Sequence, residues 1–313
     1  MNNIKTNLTS ILVVARHEIR TLAREKTFIL LLSIFFTMTF FSVFIGWATR
    51  TTTNNIYTAS VLYLANTGVT HVPPNPLYGV SPLLTFDNMV IYILLIGALL
   101  AIVIGHRSFI RERKSGVLPL IFVRPTERIK YIFGKLLGIV VALLAITLAT
   151  LLVSLVSTLF IRTLHLSFVE TLRLFGFYAV SFLYLCLFAI VGFFFAIRTK
   201  NESTALFLPI MVWVAAVFIF PELITGQSPV SLLNPITLAQ SSAGQGTFFT
   251  LSHFLLAPFS IGQFYTQSAL GMLATNYSPQ LLPAFVLLIY IVFFTMVSVS
   301  VVYKYESSQD ILI

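Results

Sequence analysis

Six uncharged apolar runs are the feature that most constrains the fold of this chain. A helix needs about 20 apolar residues to cross the ~30 Å hydrocarbon core of a bilayer. The runs lie at residues 27–48, 88–105, 136–161, 174–197, 205–221 and 281–303, in a chain of 313 residues that is 58% hydrophobic and 9% charged. The fifth run is the shortest and contains Pro209. The sequence therefore predicts an all-α integral membrane protein with six transmembrane helices.

Basic residues are distributed unevenly among the segments that flank these runs. Sixteen of the nineteen Lys and Arg residues lie before the first run, in segments 106–135 and 198–204, or after the last run. The positive-inside rule places such segments in the cytoplasm, so both termini are expected there. The net charge of +9 is therefore explained by membrane topology and does not indicate a nucleic-acid partner.

Residues 8–26 have the pattern of an amphipathic helix. Apolar residues recur at spacings of three and four: Leu8, Ile11, Leu12, Ala15, Ile19 and Leu22. On another face, arginines recur every four residues: Arg16, Arg20 and Arg24. Basic amphipathic helices bind anionic membrane surfaces. We predict that residues 1–26 form a cytoplasmic helix in contact with membrane lipid, ahead of a single transmembrane domain at 27–313. Packing on a partner protein is the alternative.

The outer segment 222–280 is too apolar for a solvated loop. Within it, residues 247–257 and 261–273 are apolar, shorter than a span and separated by Pro258. Such lengths suit re-entrant or interfacial helices. We therefore predict a re-entrant or interfacial helix pair before the last span. The first outer connection, 49–87, contains HVPPNPLYGVSP, and its prolines and glycine predict a loop.

Asp, Glu, Lys, Arg and His are absent from all six runs. Proton-driven carriers and voltage sensors keep such groups inside the membrane, so both classes are disfavoured, whereas a sodium-coupled carrier stays open. His17-Glu18 lacks the second histidine of a zinc-protease helix, and Gly134-Lys135 lacks the spaced glycine of a P-loop. We expect no enzyme active site, no metal site and no cofactor in this chain.

Segment 106–135 concentrates eight basic residues between the second and third runs. Ser115-Gly116 predicts the end of the helix that leaves the second run. Pro125 bends the chain before Thr126, which would cap the next helix. The predicted result is a short helix-turn-helix at the inner membrane surface. A solvated positive loop is the alternative, and it would leave Glu112 among the arginines unexplained.

This segment resembles the cytoplasmic segment of type-two ABC transporter permeases (ABC-2 permeases). The matching pattern is Glu112-x-x-Ser-Gly116-x-Leu118, then Pro125-x-x-Arg128, then Gly134-Lys135. The order of the features is similar as well: an amphipathic N-terminal helix, six spans and an apolar helix pair before the last span. The resemblance is nearest to single-polypeptide half-permeases such as those that serve nitrous-oxide-reductase maturation, and the longer 49–87 connection departs from that subgroup.

The resemblance implies an assembly of two permease chains and two separate P-loop ATPase subunits, which hold ATP and Mg²⁺. It implies that the N-terminal helix and the segment after the second span contact the ATPases, and that Glu112 is the acid of the gating helix. The residues expected to couple to or contact the ATPases are Arg111, Glu112, Arg113, Lys114, Gly116, Pro125 and Arg128. We expect Glu112 to form rearrangeable ion pairs with the basic residues beside it in the sequence.

We therefore expect a permease subunit that forms a homodimer or heterodimer in a bacterial or archaeal cytoplasmic membrane. The neutral spans favour an apolar or amphipathic cargo, exported as in the resembled family, or force transmitted to an outer-side partner protein. A non-transporting membrane anchor and an ion-coupled secondary transporter are the alternatives. A P-loop ATPase bound at the inner face would distinguish the ABC permease from the membrane anchor and the ion-coupled transporter.

Overall fold

The computed structural model describes residues 2–68, 73–78, 80–116, 128–161, 166–225, 247–274 and 282–304, which form helices joined by turns and short irregular segments, with no strand among them. The α-helices are α1 (Asn2–Arg24), α2 (Lys26–Asn66), α3 (Asp87–Tyr92), α4 (Ala98–Lys114), α5 (Arg128–Phe160), α6 (Phe168–Arg198), α7 (Glu202–Val214), α8 (Phe220–Thr225), α9 (Thr247–Leu256), α10 (Ile261–Leu273) and α11 (Leu282–Lys304). Short 3-10 turns lie at Pro82–Phe86 and Ala257–Phe259, and π-helical turns lie at Ile93–Gly97 and Ala215–Ile219. The all-α prediction is confirmed.

Six of the described helical stretches are long and apolar enough to cross a membrane. They are Phe28–Asn66, Pro82–Lys114, Ile129–Leu159, Phe168–Arg198, Glu202–Ile224 and Pro283–Val301. Each contains or closely overlaps one of the six predicted runs. Pro209 lies inside the fifth stretch, and the helix continues through it. The six-span prediction is confirmed.

Helix α2 is longer than the first predicted run. It continues from residue 48 to Asn66, which adds about 27 Å of helix. In this extension, side-chain hydroxyls donate to backbone carbonyl oxygens one turn earlier, as at Thr53, Thr58 and Ser60. The helix ends before Gly68, whose φ of +77° is left-handed. The predicted end of the first helix near residue 48 is therefore wrong, because low hydropathy does not end a helix that lacks glycine and proline.

Helix α6 lies at the centre of the bundle, in contact with α4, α5, α7, α10 and α11. Its closest approach is to α4, and two glycines permit it. A Cβ at Gly105 would lie 1.9 Å from the carbonyl oxygen of Ala189, and a Cβ at Gly192 would lie 2.5 Å from that of Ile102. No side chain fits at either position, so the backbones of α4 and α6 are in direct contact.

The predicted helix pair before the last span is present as α9 and α10. A 3-10 turn that contains Pro258 separates them. Helix α9 packs on α8, and the Phe259 ring lies 6.1 Å from that of Phe220. Helix α10 packs on α6, with Tyr265 and Leu273 fully buried. Residues 226–246 and 275–281, in or at the end of the same predicted outer segment, lie outside the described residues.

Candidate coupling site at the basic end of the bundle

The end of α4 begins the predicted coupling turn. Helix α4 ends at Lys114, and Gly116 follows with a φ of +66°, which glycine adopts without strain. The predicted helix end is confirmed. Helix α5 begins at Arg128, whose side chain lies outside the described part of the chain, as do Pro125 and Thr126. We call this end of the bundle, with the last turns of α4 and the first turns of α5, the basic end, and the opposite end the outer end.

Arg111 ties α4 to α1 and to the junction of α1 with α2. Its Nη2 donates to both carboxylate oxygens of Glu18, at 3.0 and 2.9 Å. Its Nη1 donates to Glu25 Oε1 at 2.7 Å. Arg107, one turn earlier on the same helix, reaches the other oxygen of Glu25 at 3.4 Å. Two arginines of α4 therefore hold two glutamates that lie far away in the sequence.

Lys135 of α5 is the buried cation of this cluster, with 1% of its surface exposed. Its Nζ contacts the carboxylates of Glu18 and Glu112 and donates to the carbonyl oxygen of Ser108 at 3.0 Å. Glu18 is fully buried, so its charge is tolerable only because Lys135 and Arg111 both contact it. These contacts join α1, α4 and α5 by charges that are shielded from solvent.

Arg113 and Lys114 contact α6 and α7. Arg113 donates to the carbonyl oxygens of Thr199 and Ala196, at 2.6 and 2.8 Å, at the C-terminal end of α6. A cation is favourable there because the last carbonyls of a helix lack partners within the helix. Lys114 forms an ion pair with Glu202, in the first turn of α7, at 2.6 Å. The last turn of α4 therefore contacts four other helices at the basic end, and also the junction between α1 and α2.

The partners expected for Glu112 are wrong. Arg111, Arg113 and Lys114 contact other groups, and the cation that contacts Glu112 in the described residues is Lys135. Successive residues of a helix point about 100° apart, so neighbours in the sequence diverge. The second carboxylate oxygen of Glu112, Oε2, has no hydrogen-bond partner within the described ranges.

Helix α1 packs directly on the first turns of α5. A Cβ at Gly134 would lie 2.7 Å from the Cβ of Val14, and a Cβ at Gly138 would lie 2.7 Å from the Cβ of Glu18. Both glycines therefore allow α1 to approach the backbone of α5 closely, and Lys135, which lies between them in the sequence, contacts Glu18. This packing gives the Gly134-Lys135 pair of the sequence a physical reason.

The predicted amphipathic helix is present as α1, and its buried face includes Ala15, Glu18 and Leu22. Leu12, predicted on the apolar face, is 54% exposed and lies outside the packed face. The three predicted arginines are exposed: Arg16, Arg20 and Arg24. The packed face of α1 therefore lies on α5 of the same chain, and lipid contact by the exposed face stays a prediction.

Comparison with protein families bears directly on this arrangement. A family model described as ABC-2 family transporter protein matches residues 12–307. The chain belongs to the ABC-2 transporter family. The match starts within α1 and extends beyond α11, so the ABC-2 assignment covers all six spans and the basic end. A search of curated proteins finds no match. The ABC-2 resemblance is confirmed, and nearness to the nitrous-oxide-reductase maturation permeases stays a prediction.

Five charged residues at the basic end of this ABC-2 protein are not among the predicted coupling residues. They are Glu18, Glu25, Arg107, Lys135 and Glu202. Glu18 carries a signal, since it lies three residues after Ala15 and four before Leu22, on the apolar face of a predicted helix. An acid on such a face needs a buried partner. In the part of the chain that the structure describes, no group of His, Cys, Asp or Glu side chains is placed to hold a metal ion.

Proposed function

We propose that this ABC-2 chain is a permease subunit on which two copies of a separate P-loop ATPase act through the basic end. The observation that carries the proposal is the buried ionic cluster of Glu18, Lys135, Glu112 and Arg111. Arg111 and Glu112 precede the 117–127 connection and Lys135 follows it, and Glu18 lies on the N-terminal helix; the resemblance places the ATPase contact on these two segments. In this proposal ATP and Mg²⁺ are held by the ATPase, and the chain has no catalytic residue of its own.

The cluster supports this role because it makes several helices respond together. Separating α1 from α5 would break the buried contact between Glu18 and Lys135, and would leave Glu18 with Arg111 and Lys135 with Glu112. A buried charge that loses a partner is costly, so the contact between α1 and α5 resists separation. A displacement of the connection between α4 and α5 is therefore passed to α1 through Glu18, and to α6 through Arg113. Glu112, with one free carboxylate oxygen in the described structure, is the member with room to change partner.

The remaining parts of the proposal follow from charge and hydropathy. The basic end faces the cytoplasm of a bacterial or archaeal cell, with both termini on that side, by the positive-inside rule. The six apolar runs lack Asp, Glu, Lys, Arg and His, which favours an apolar or amphipathic cargo, with export as its direction, or force transmitted to an outer-side partner protein. A second permease chain, identical or related, completes the transporter. Within the family, the nitrous-oxide-reductase maturation permeases are the subgroup that we propose as nearest.

The test is co-expression of this chain with a P-loop ATPase encoded in an adjacent reading frame. We expect the two proteins to co-purify, and the reconstituted complex to hydrolyse ATP faster when cargo is present. Glu112→Ala and Arg128→Glu are expected to keep membrane insertion and to lose most of this cargo-dependent stimulation. Glu170→Ala is the matched control, because Glu170 caps α6 at the outer end.

Three results would separate the readings. Full cargo-dependent activity in both Glu112→Ala and Arg128→Glu would remove the coupling role of segment 106–135. Co-purification of other proteins without an ATPase would favour a membrane anchor. Cargo movement by the purified chain alone, driven by an ion gradient, would favour an ion-coupled transporter and overturn the proposal.

A further inference from the structure

Two of the six candidate spans contain a π-helical turn within the described residues. One is Ile93–Gly97, in the stretch Pro82–Lys114, and the other is Ala215–Ile219, in the stretch Glu202–Ile224. A π-helical turn holds an extra residue, so it perturbs the regular pairing of backbone groups along the helix. Such turns are rare and are frequent at functional sites. Their occurrence in two different spans therefore calls for a physical explanation.

One side chain joins the two π-helical turns. The Nε1–H of Trp213 donates to the carbonyl oxygen of Leu94, in the first turn, at 3.2 Å. The indole ring of Trp213 also meets the ring of Phe218, in the second turn, edge-on at 5.5 Å. The hydroxyl of Tyr184, from α6, donates to the same Leu94 oxygen at 2.9 Å. A single buried carbonyl oxygen thus accepts hydrogen bonds from two other spans.

Helix α10 packs against the same region, around Tyr184 and the two π-helical turns. The ring of Tyr265 stacks on that of Tyr184 at 4.3 Å between centroids, and its hydroxyl lies 3.2 Å from Ser181 Oγ. A Cβ at Gly262 would lie 3.0 Å from the Cα of Val217, in the second π-helical turn. Both ends of the Trp213 bridge are therefore in contact with α10, the second helix of the outer pair.

The first π-helical turn also separates two halves of its span that pack against different helices. The half toward the basic end, α4, is held against α6 through Gly105 and Gly192. The outer half is held on α2, where a Cβ at Gly46 would lie 2.0 Å from the carbonyl oxygen of Thr85. The Ile93–Gly97 turn is therefore the join between an α4–α6 body and a body made of α2 and the outer half of the span.

We propose that the Leu94 carbonyl, with Trp213 and Tyr184 as positioning residues, is a hydrogen-bonded latch at a hinge between the basic and outer halves of the second and fifth spans. Conversion of a π-helical turn to α-helix shifts the flanking halves by one residue, which is about 100° of rotation and 1.5 Å of rise. Such a shift turns the Leu94 oxygen away from both donors. The latch thus holds the outer halves in one arrangement, and its release lets them move. The use of this motion for transport rests on the proposed function.

Amide hydrogen exchange on the purified full chain tests the latch without any ATPase. Trp213→Phe and Tyr184→Phe each remove one donor and keep an aromatic ring. We expect about fivefold faster exchange at residues 93–99 and 215–220 in either variant, as the loss of one net hydrogen bond predicts. Tyr178→Phe is the matched control. It also removes a buried hydroxyl of α6, but this hydroxyl bonds Ser154 at 2.5 Å and does not bond to a π-helical turn. Unchanged exchange in both variants, or an equal rise in the control, would overturn the latch.

Distances between the two bodies test the hinge in the working complex. Spin labels at Asn88→Cys, in the outer half, and Val169→Cys, at the outer end of α6, are introduced after Cys186→Ser removes the native thiol. With the ATPase bound, we expect the distance to differ between nucleotide-free and ATP-trapped states, and Trp213→Phe to shift the populations about fivefold. A single distance in a complex that transports cargo would refute the hinge. If no ATPase acts on the chain, the proposed function fails, and the exchange comparison alone decides the latch.

Discussion

Replacing Lys135 with methionine is the sharpest test of the basic end. Lys135 is buried and contacts two carboxylates, so its removal leaves buried negative charge behind. Glu18 keeps Arg111 at 2.9 Å, whereas Glu112 loses its cation in the described structure. Loss of one partner from a buried pair costs about 3–5 kcal/mol, and most of this cost should come from Glu112. We expect the free energy of unfolding to fall by that amount.

The measurement is reversible unfolding in mixed micelles by titration with a denaturing detergent. The double variant Lys135→Met/Glu112→Gln should recover about 1–3 kcal/mol, because it removes the stranded charge. The double variant Lys135→Met/Glu18→Gln should recover less, because Glu18 keeps its contact with Arg111. Arg20→Met, an exposed cation of α1, is the control and should change the free energy by less than about 0.5 kcal/mol. A loss below about 1 kcal/mol for Lys135→Met, or a larger recovery with Glu18→Gln than with Glu112→Gln, would refute the reasoning.

Two further predictions concern the contacts of α4 with its neighbours. Gly105→Ala places a Cβ 1.9 Å from the carbonyl oxygen of Ala189. We therefore expect loss of folded, monodisperse protein in size-exclusion chromatography. Gly176→Ala is the control, because its Cβ meets only the movable sulfur of a methionine at 3.0 Å, and this variant should stay folded. Arg113→Lys gives up the forked contact with the end of α6 and should lower the free energy of unfolding by about 1–2 kcal/mol. Lys114→Gln breaks an exposed ion pair and should lower the free energy of unfolding by less than about 1 kcal/mol in the unfolding assay used for Lys135→Met. A larger loss for Lys114→Gln than for Arg113→Lys would contradict the importance given to the contact of Arg113 with α6.

The parts of the fold that depend on local patterns could be predicted from the sequence. Hydropathy over about 20 residues identifies the spans, because burial in hydrocarbon is decided segment by segment. Gly116 and Pro258 mark helix ends for reasons of backbone geometry, and both predictions are confirmed. The extension of α2 to Asn66 is the exception, since in that stretch polar residues continue the helix by bonding back to it.

The parts of the site that depend on packing between distant segments could not be predicted in this way. Glu18 and Lys135 are far apart in the sequence, and their contact exists because Gly134 and Gly138 let α1 approach α5. The sequence of segment 106–135 by itself predicts that Glu112 forms ion pairs with its neighbours in the sequence. The missing information was the direction of each side chain around α4, which depends on the helices that surround it. An acid on a predicted apolar face, as at Glu18, is the signal that points to such a contact.

The same helix connects the basic end to the latch. Helix α4 has 17 residues, about 25 Å of helix, with Lys114 at one end and the first π-helical turn at the other. Its backbone lies against that of α6 at Ile102 and Gly105. Under the proposed function, we expect α4 and α6 to move together and to carry a displacement from the basic end toward the Leu94 carbonyl. At that point the helix geometry changes, and the hydrogen bonds from Trp213 and Tyr184 are the ones that must break. We therefore expect variants that loosen the contact of α4 with α6 to uncouple displacement at the basic end from motion at the outer end.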